Sequence, residues 1–478
     1  MRREHTTGPA PDVAPPLVAA APAGLLPEQA FAALAGLPHR VFFDSARRGG
    51  RLGRYSYVAA DPFDWLAVAA DGSAALGPWA ERLGGWAAPR IAGLPPWQGG
   101  AAGLLGYEIG RSLERLPRAA WDEFRMPALA MGLYDTLIAF DHELDKAWVI
   151  SHGFPAAPGP PRRRRAESRL ADLAERLSRP HGGQPSRPGS AIERDRLAPQ
   201  FPTPYGRGVT SDFSRDAYLR AVEGVIGRLR KGDAYQVNLA QRLLLRETID
   251  PARAYERLRV LNPAPFGAYL DGGRWQVASA SPERFLRVEQ GGVETRPIKG
   301  TRPLGRAAGL ELAASEKDRA ENVMIVDLLR NDLSRVCTDD SIRVPELFSL
   351  EQYAHVQHLV SAVTGRLREG RGVADLLAAT LPGGSVTGAP KIRAQELIAE
   401  YEPTARGAYC GAMAWVGFAD EEGHQAMDSS VLIRTLTFAD GWVQAPVGGG
   451  VTVLSDPVAE YDETWHKAAG LIDAVSPG

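Results

Sequence analysis

Residues 214–245 set the terms on which this chain can fold. Ser214 is placed to cap a helix whose apolar positions Tyr218, Val222, Val225, Ile226 and Leu229 recur at helical spacing, until Lys231 and Gly232 end it. Residues 235–245 then alternate as a strand, with Val237, Leu239, Leu243 and Leu245 on one face and Gln236, Asn238 and Arg242 on the other. Helical and extended patterns mix in this way along the chain without a regular βαβ rhythm. The pattern therefore predicts an α+β fold with large antiparallel sheets.

Upstream, short apolar runs at 40–43, 55–60, 65–69, 103–107, 133–140 and 147–151 are separated by turn signals and read as strands, several in antiparallel pairs. Residues 1–24 read as a flexible leader, because Pro9, Pro11, Pro15, Pro16 and Pro22 interrupt any signal-peptide core. The region 25–152 forms the N-terminal part of the fold, and 153–212 a Pro/Gly/Arg-rich crossover with one helix near 166–177. Within that crossover the run 162–165 is a cluster of arginines, read as solvated linker charge. Residues 213–478 carry nearly all the recognisable chemistry.

Composition excludes several classes. With 55 basic and 57 acidic residues the net charge is −2, so no global field draws in nucleic acid or an anionic membrane. No apolar run reaches the roughly 18 residues of a membrane span. The two cysteines, Cys337 and Cys410, are too few for a disulfide framework or a thiolate metal site, which suits a reducing cytoplasmic setting.

Ser455, Asp456 and Pro457 announce a helix start, and on that helix Glu460, Glu463 and Lys467 share one face. A second acidic helix starts near Ser315, with Glu321 among apolar neighbours. Enclosed carboxylates need partners, and a few carboxylates with several waters suit magnesium; an ordinary solvated face with salt bridges fits the same spacing. Residues 381–392, LPGGSVTGAPKI, form a glycine-rich loop before a helix, where backbone amides can hold a carboxylate or phosphate. The P-loop motif is not matched, because Ala389 and Pro390 stand where lysine and a hydroxyl residue belong, and a P-loop phosphotransferase is a remote rival that predicts nucleotide binding. The run Gly448, Gly449 and Gly450 follows a strand at 442–447, as a place of close ligand approach or as a simple turn. His358 lies within an alternating stretch at 353–363 and by itself fits a core or surface histidine better than a catalyst.

In this order the motifs resemble the chorismate-utilising enzymes: GDAYQVNLAQR at 232–242, SPERF at 281–285, RPIKGTRP at 296–303, ENVMIVDLLRNDLSRV at 321–336, HLVS at 358–361, GGSVTGAPKIRA at 383–394, IRT at 433–435, and GGGV with AEYDETWHKA near the end. GLLGYEIGRSLERLP at 103–117 and LYDTLIAFDH at 133–142 extend the resemblance more weakly into the N-terminal half. The resemblance implies one large sandwich of two antiparallel sheets with helices outside and the active site between them. By the same resemblance Glu321, Glu460 and Glu463 are magnesium ligands, and Tyr409, Arg434, Lys467, Thr387, Gly449 and Gly450 clamp the chorismate carboxylates. Glu283 corresponds to the acid that protonates the departing C4 hydroxyl, and His358 to a second polar group of the site.

Two positions within the family choose the reaction. Water-adding isochorismate and salicylate enzymes place a lysine base where this chain has Gln236, and anthranilate synthases read PIAGT where this chain reads PIKGT. Lys299 therefore resembles the nucleophilic lysine of aminodeoxychorismate synthases. Such a lysine must shed its proton, which burial and neighbouring cations favour, and Arg296 and Arg302 are close in sequence. The expected reaction is chorismate plus ammonia to 4-amino-4-deoxychorismate, on the way to para-aminobenzoate and folate. Neither cysteine sits on a nucleophile elbow, so ammonia is expected from a separate glutamine amidotransferase subunit. The rivals are an anthranilate synthase large subunit and an inactive chorismate-binding subunit. Some family members also bind tryptophan in the N-terminal sheet; Phe43, Asp44 and Ser45 with Arg54, Tyr55 and Ser56 lie near the matching places, although the surrounding pattern differs from that of the inhibited anthranilate enzymes.

Overall fold

Successive residues on the strands serve two different cores. Val41, Tyr57, Leu137, Ala268 and Val277 pack together in one apolar cluster, while their neighbours Phe42, Val58, Ile138, Tyr269 and Ala278 pack in another. Period-two alternation with both faces apolar produces a sheet covered on both sides. The computed structural model describes residues 14–48, 52–179, 191–206, 208–352 and 356–476.

Among these, one sheet of 13 strands and one of 10 strands make up the architecture, and every strand-to-strand ladder is antiparallel. Inner-face residues of the two sheets meet in the cluster that includes Val41, Leu104, Met413, Trp415 and Val277. Helices Pro160–Ser178, Pro251–Leu261 and Pro457–Val475 supply Leu173, Leu177, Tyr255, Leu258, Leu471 and Ile472 to the outer core of the larger sheet. Helices Arg215–Arg230, Glu316–Ser334, Val373–Thr380 and Lys391–Tyr401 cover the remaining core. The expected α+β sandwich, with antiparallel sheets inside and helices outside, is the fold observed. No described helix is long and apolar enough to cross a membrane.

Local differences have physical causes. The expected strand at 133–140 is two strands, Leu129–Tyr134 and Thr136–Asp141, divided at Asp135 between the two sheets. The crossover helix is longer than 166–177, because Pro160 and Pro161 start it and the arginine run continues it. Leu17–Ala20, placed within the leader, adds an edge strand that pairs with residues 148–151. Strand Gln236–Arg246 is buried on both faces: Val237 and Leu239 join one core, Leu243 and Leu245 another, and Gln236, Asn238 and Arg242 are enclosed as well. Cys337 lies beyond the acidic helix, which ends at Ser334. The three glycines 448–450 are inside strand Trp442–Val451, paired with Ala240, Leu239 and Asn238, so the turn reading is replaced. Of the alternating stretch 353–363, residues 353–355 lie outside the described residues, and strand Val356–Arg366 carries His358.

Gly388 holds the glycine-rich loop against this framework. The pair Gly388–Ala389 bonds to Val237 and Gln236 as a short strand, with Gly388 at φ +139°, and a Cβ there would stand 2.1 Å from the Gln236 carbonyl oxygen. Gly388→Ala should therefore lower stability by about 1–3 kcal/mol, the range for a backbone held in a disallowed conformation. Urea denaturation checks this, and an unchanged midpoint would contradict it.

Candidate functional site

The site forms where the chain passes between the sheets. Strand Trp275–Ser281 belongs to the larger sheet and Arg284–Glu289 to the smaller, so Glu283 stands on the crossing between them. Arg434 stands on the return crossing, between Met427–Val431 and Thr435–Ala439. The crossings are tied together: Ser281 Oγ donates to the Val431 carbonyl at 2.6 Å, and the Val431 amide donates to the Glu283 carbonyl at 3.1 Å. Arg434 adopts φ +53°, a left-handed backbone that a non-glycine residue keeps only when its surroundings impose it.

Three expected metal ligands come from two helices. Ser315 caps Glu316–Ser334, which carries Glu321, and Asp456 caps Pro457–Val475, which carries Glu460 and Glu463. Burial raises the Glu321 carboxyl above its ordinary value against Lys299 and Lys317, and Asp318 and Glu460 add to the rise. Burial also raises Glu460, with Glu463 reinforcing, although Ser455 Oγ donates to its Oε1 at 2.7 Å. Glu463 is less enclosed than expected: its side chain is 54% exposed and pairs with Lys467 at 2.7 Å. The desolvation of its inner part would raise it, but Lys467 outweighs that and holds the carboxyl below its ordinary value. Carboxylates kept close against burial and mutual repulsion are chemically suited to a hard divalent cation. The chemistry of these donors suits magnesium, while the described group whose ligand atoms already lie within 4.8 Å of one another is a different one, Asp420, Glu422 and His424.

The expected substrate contacts converge from four directions. Lys467 Nζ donates to the Gly448 carbonyl at 2.7 Å, and a Cβ on Gly449 would lie 3.1 Å from Glu460 Oε2, so the glycine strand runs close beneath helix Pro457–Val475. A Cβ on Gly450 would stand 2.3 Å from Gln236 Nε2. Gln236 is fully buried, and neither its Nε2 nor its Oε1 has a hydrogen-bond partner. An amide enclosed without partners is costly to keep, so a substrate group is its natural complement. Thr387 is buried and its carbonyl accepts from the Asn238 amide at 2.8 Å. Burial lowers the Arg434 guanidinium, with Tyr409 and Glu463 opposing, and Tyr409 is buried beside it.

Lys299 is coupled electrostatically to both Glu283 and Glu321. A register shift between Lys299 and Thr301, with Gly300 at φ +69°, re-aims the lysine from the edge of the smaller sheet. Its Nζ donates to the Ser385 carbonyl of the glycine-rich loop at 3.1 Å. It lowers each carboxyl against the larger effect of burial, which leaves both raised. Arg296 and Arg302 do not assist it as expected: Arg296 binds Glu346 and Glu351, and Arg302 pairs with Asp318 and Glu311. His358 is buried, its imidazole pushed down to about 4 by burial, so it is uncharged at neutral pH.

Sequence reasoning missed the charges that hold these walls. Arg406 Nη1 donates to the Val386 carbonyl at 2.9 Å and Nη2 to the Asn238 carbonyl at 2.9 Å, joining loop to strand. Glu402 holds the guanidinium at 2.6 and 2.8 Å and accepts from the Ala240 amide at 2.8 Å. Both residues are about 5% exposed. Their i,i+4 spacing was the available signal, but it is shared with many surface pairs. Behind the acidic helix, Lys391 donates to Asp332 at 2.6 Å and to the Thr380 carbonyl at 2.8 Å. Away from the site, Asp44, Arg54 and Tyr55 line a separate cavity of 310 Å³, where Asp44 is held by Tyr255 and Arg259 and Arg54 by Asp141. Glu402→Gln keeps the shape but leaves Arg406 buried without its counter-ion. It should cost about 3–5 kcal/mol in chemical denaturation, and a cost below about 1 kcal/mol would contradict the account.

The chain is 40% identical over 385 residues to aminodeoxychorismate synthase component 1 of Klebsiella aerogenes, covering 79% of this chain and 77% of that protein. It is 38% identical over 459 residues to anthranilate synthase component 1 of Streptomyces coelicolor, covering 94% of this chain and 86% of that protein. The crystal structure of anthranilate synthase component I from Streptococcus pneumoniae superposes with a TM-score of 0.74 at 28% identity, over 89% of this chain and 93% of that one. The menaquinone-specific isochorismate synthase of Escherichia coli, 17% identical, shares the fold at a TM-score of 0.69 over 97% of this chain and 96% of that one. With the family model for chorismate binding enzymes matching residues 50–473, this chain belongs to the chorismate binding enzymes.

Proposed function

We propose that this enzyme aminates chorismate at C4, giving 4-amino-4-deoxychorismate with ammonia from a separate glutaminase subunit. The observation that carries the reading is the setting of Lys299, which is coupled electrostatically to both Glu283 and Glu321 and stands at the position where anthranilate synthases carry alanine. Relatives named aminodeoxychorismate synthase component 1 support it, and the word component points to a second subunit. Arg434 and Tyr409 take one carboxylate and Lys467 with the amides around Gly449 the other; a guanidinium fork suits a carboxylate because it donates two parallel bonds. Glu321, Glu460 and Glu463 hold magnesium, which when bound supplies the charge that neutralises a chorismate carboxylate.

The chemistry divides between a nucleophile and an acid. The Lys299 ammonium first passes a proton to the Glu283 carboxylate, which burial makes a ready acceptor; the freed amine forms a bond to C2 as the ring double bonds shift and the C4–O bond breaks, and Glu283 delivers that proton to the departing hydroxyl. Water leaves. Ammonia then bonds to C4 and expels the lysine from C2. His358, uncharged at neutral pH, offers hydrogen bonding without adding a competing cation beside Arg434. Gln236 replaces the lysine base of the water-adding enzymes, so its amide binds substrate and does not activate water.

Chorismate, magnesium and ammonium incubated with the purified enzyme should yield a product with the mass of 4-amino-4-deoxychorismate and no fluorescence of anthranilate. Anthranilate or isochorismate as the main product would overturn the reading.

A further inference from the structure

Lys317 has an unusual position for a cation. It is the second residue of helix Glu316–Ser334, in the first turn, where the helix dipole disfavours positive charge. Its Nζ lies 4.0 Å from Glu321 Oε1, one turn along the same helix, and 3.9 Å from Glu460 Oε1 on helix Pro457–Val475. One amine thus spans two carboxylates from different helices. The lysine side chain is 46% exposed, whereas Glu321 is 15% and Glu460 8% exposed.

The other lysines of the site are hydrogen-bonded elsewhere, although Lys299 also lowers Glu321 and Lys467 also lowers Glu460. Lys299 is bonded to the Ser385 carbonyl, and Lys467 to Glu463 and the Gly448 carbonyl. Neither separation from Lys317 is short enough for a hydrogen bond, so electrostatic attraction alone draws the ammonium in. A half-exposed lysine on a flexible stem can withdraw to water at small cost. An ammonium and a divalent cation repel strongly over a few ångströms, so the two compete for the same carboxylates.

We propose that Lys317 is a displaceable counter-ion: it neutralises Glu321 and Glu460 until a divalent cation takes its place, and so weakens metal binding in the free enzyme. The inference rests on reading Glu321, Glu460 and Glu463 as the metal ligands. Its consequence is a coupling between ligands. With metal binding opposed by Lys317, the negative charge of bound chorismate tips the balance toward the metal, and by reciprocity the metal strengthens chorismate binding to the same degree.

The test uses Mn2+ as probe, titrated without chorismate and read by the loss of free-ion signal in electron paramagnetic resonance. Lys317→Met should bind Mn2+ about 3- to 10-fold more tightly than the parent, the effect of removing one modest ion-pair competitor. Lys317→Gln carries the same test should the methionine variant fold poorly, and Lys317→Arg, which keeps the charge, should match the parent. Glu321→Gln should bind far more weakly than the parent. If the methionine and glutamine variants bind Mn2+ no tighter than the parent while Glu321→Gln weakens it, the counter-ion role is wrong and the metal site stands. If Glu321→Gln binds as the parent does, the metal-ligand reading fails and the inference with it.

Discussion

The buried ion pair of Glu402 with Arg406 is the interaction on which the site depends. Two charges in a dry interior are worth their desolvation only if their donors and acceptors find partners, and this pair meets that condition by using backbone from both the glycine-rich loop and strand Gln236–Arg246. Arg406 grips the carbonyls of Val386 and Asn238, Glu402 grips the amide of Ala240, and Glu108 accepts from the amides of Arg406 and Gly407. The glycine-rich loop and strand Gln236–Arg246 are therefore fixed to each other before any substrate arrives. Thr387, Gln236 and, through the opposite strand, Gly449 and Gly450 inherit their positions from that junction.

On this rigid base the enzyme concentrates charges that would not otherwise stay together. Glu283, Glu321 and Glu460 all have raised carboxyls because burial opposes ionisation, and Lys299 and Lys317 hold them in check. Arg434 is lowered by the same burial and sits in a strained backbone. Strain and unpaired polarity persist in a folded protein where they serve a ligand, since the surrounding framework holds them in place. The orphaned amide of Gln236 fits that pattern, enclosed beside Gly450 where a side chain on the glycine would collide with it.

Much of this was legible in the sequence, for identifiable reasons. Caps at Ser214, Ser315 and Asp456 are local chemistry, so the helices they open were placed to within a residue or two. The antiparallel architecture followed from apolar alternation without a βαβ rhythm. The glycine run misled because glycine marks turns and close approaches alike, and only the pairing with Leu239 and Asn238 decides between them. Arg296 and Arg302 misled because nearness in sequence along a bulged strand does not fix where long side chains point. The Glu402–Arg406 pair could not be told from a surface pair, since burial is a property of the assembled fold.

The chemical account stands on Lys299. In the proposed reaction the amine coupled to Glu283 and Glu321 attacks C2, whereas a charged lysine that steadied a substrate carboxylate would have much the same neighbours. The most direct measurement is intact-protein mass spectrometry after mixing enzyme, chorismate and magnesium without ammonia, followed by peptide mapping. The account predicts a species heavier by chorismate minus water, on the peptide containing Lys299 and absent from Lys299→Arg. No adduct on the parent, or an adduct at another lysine, would contradict the covalent route.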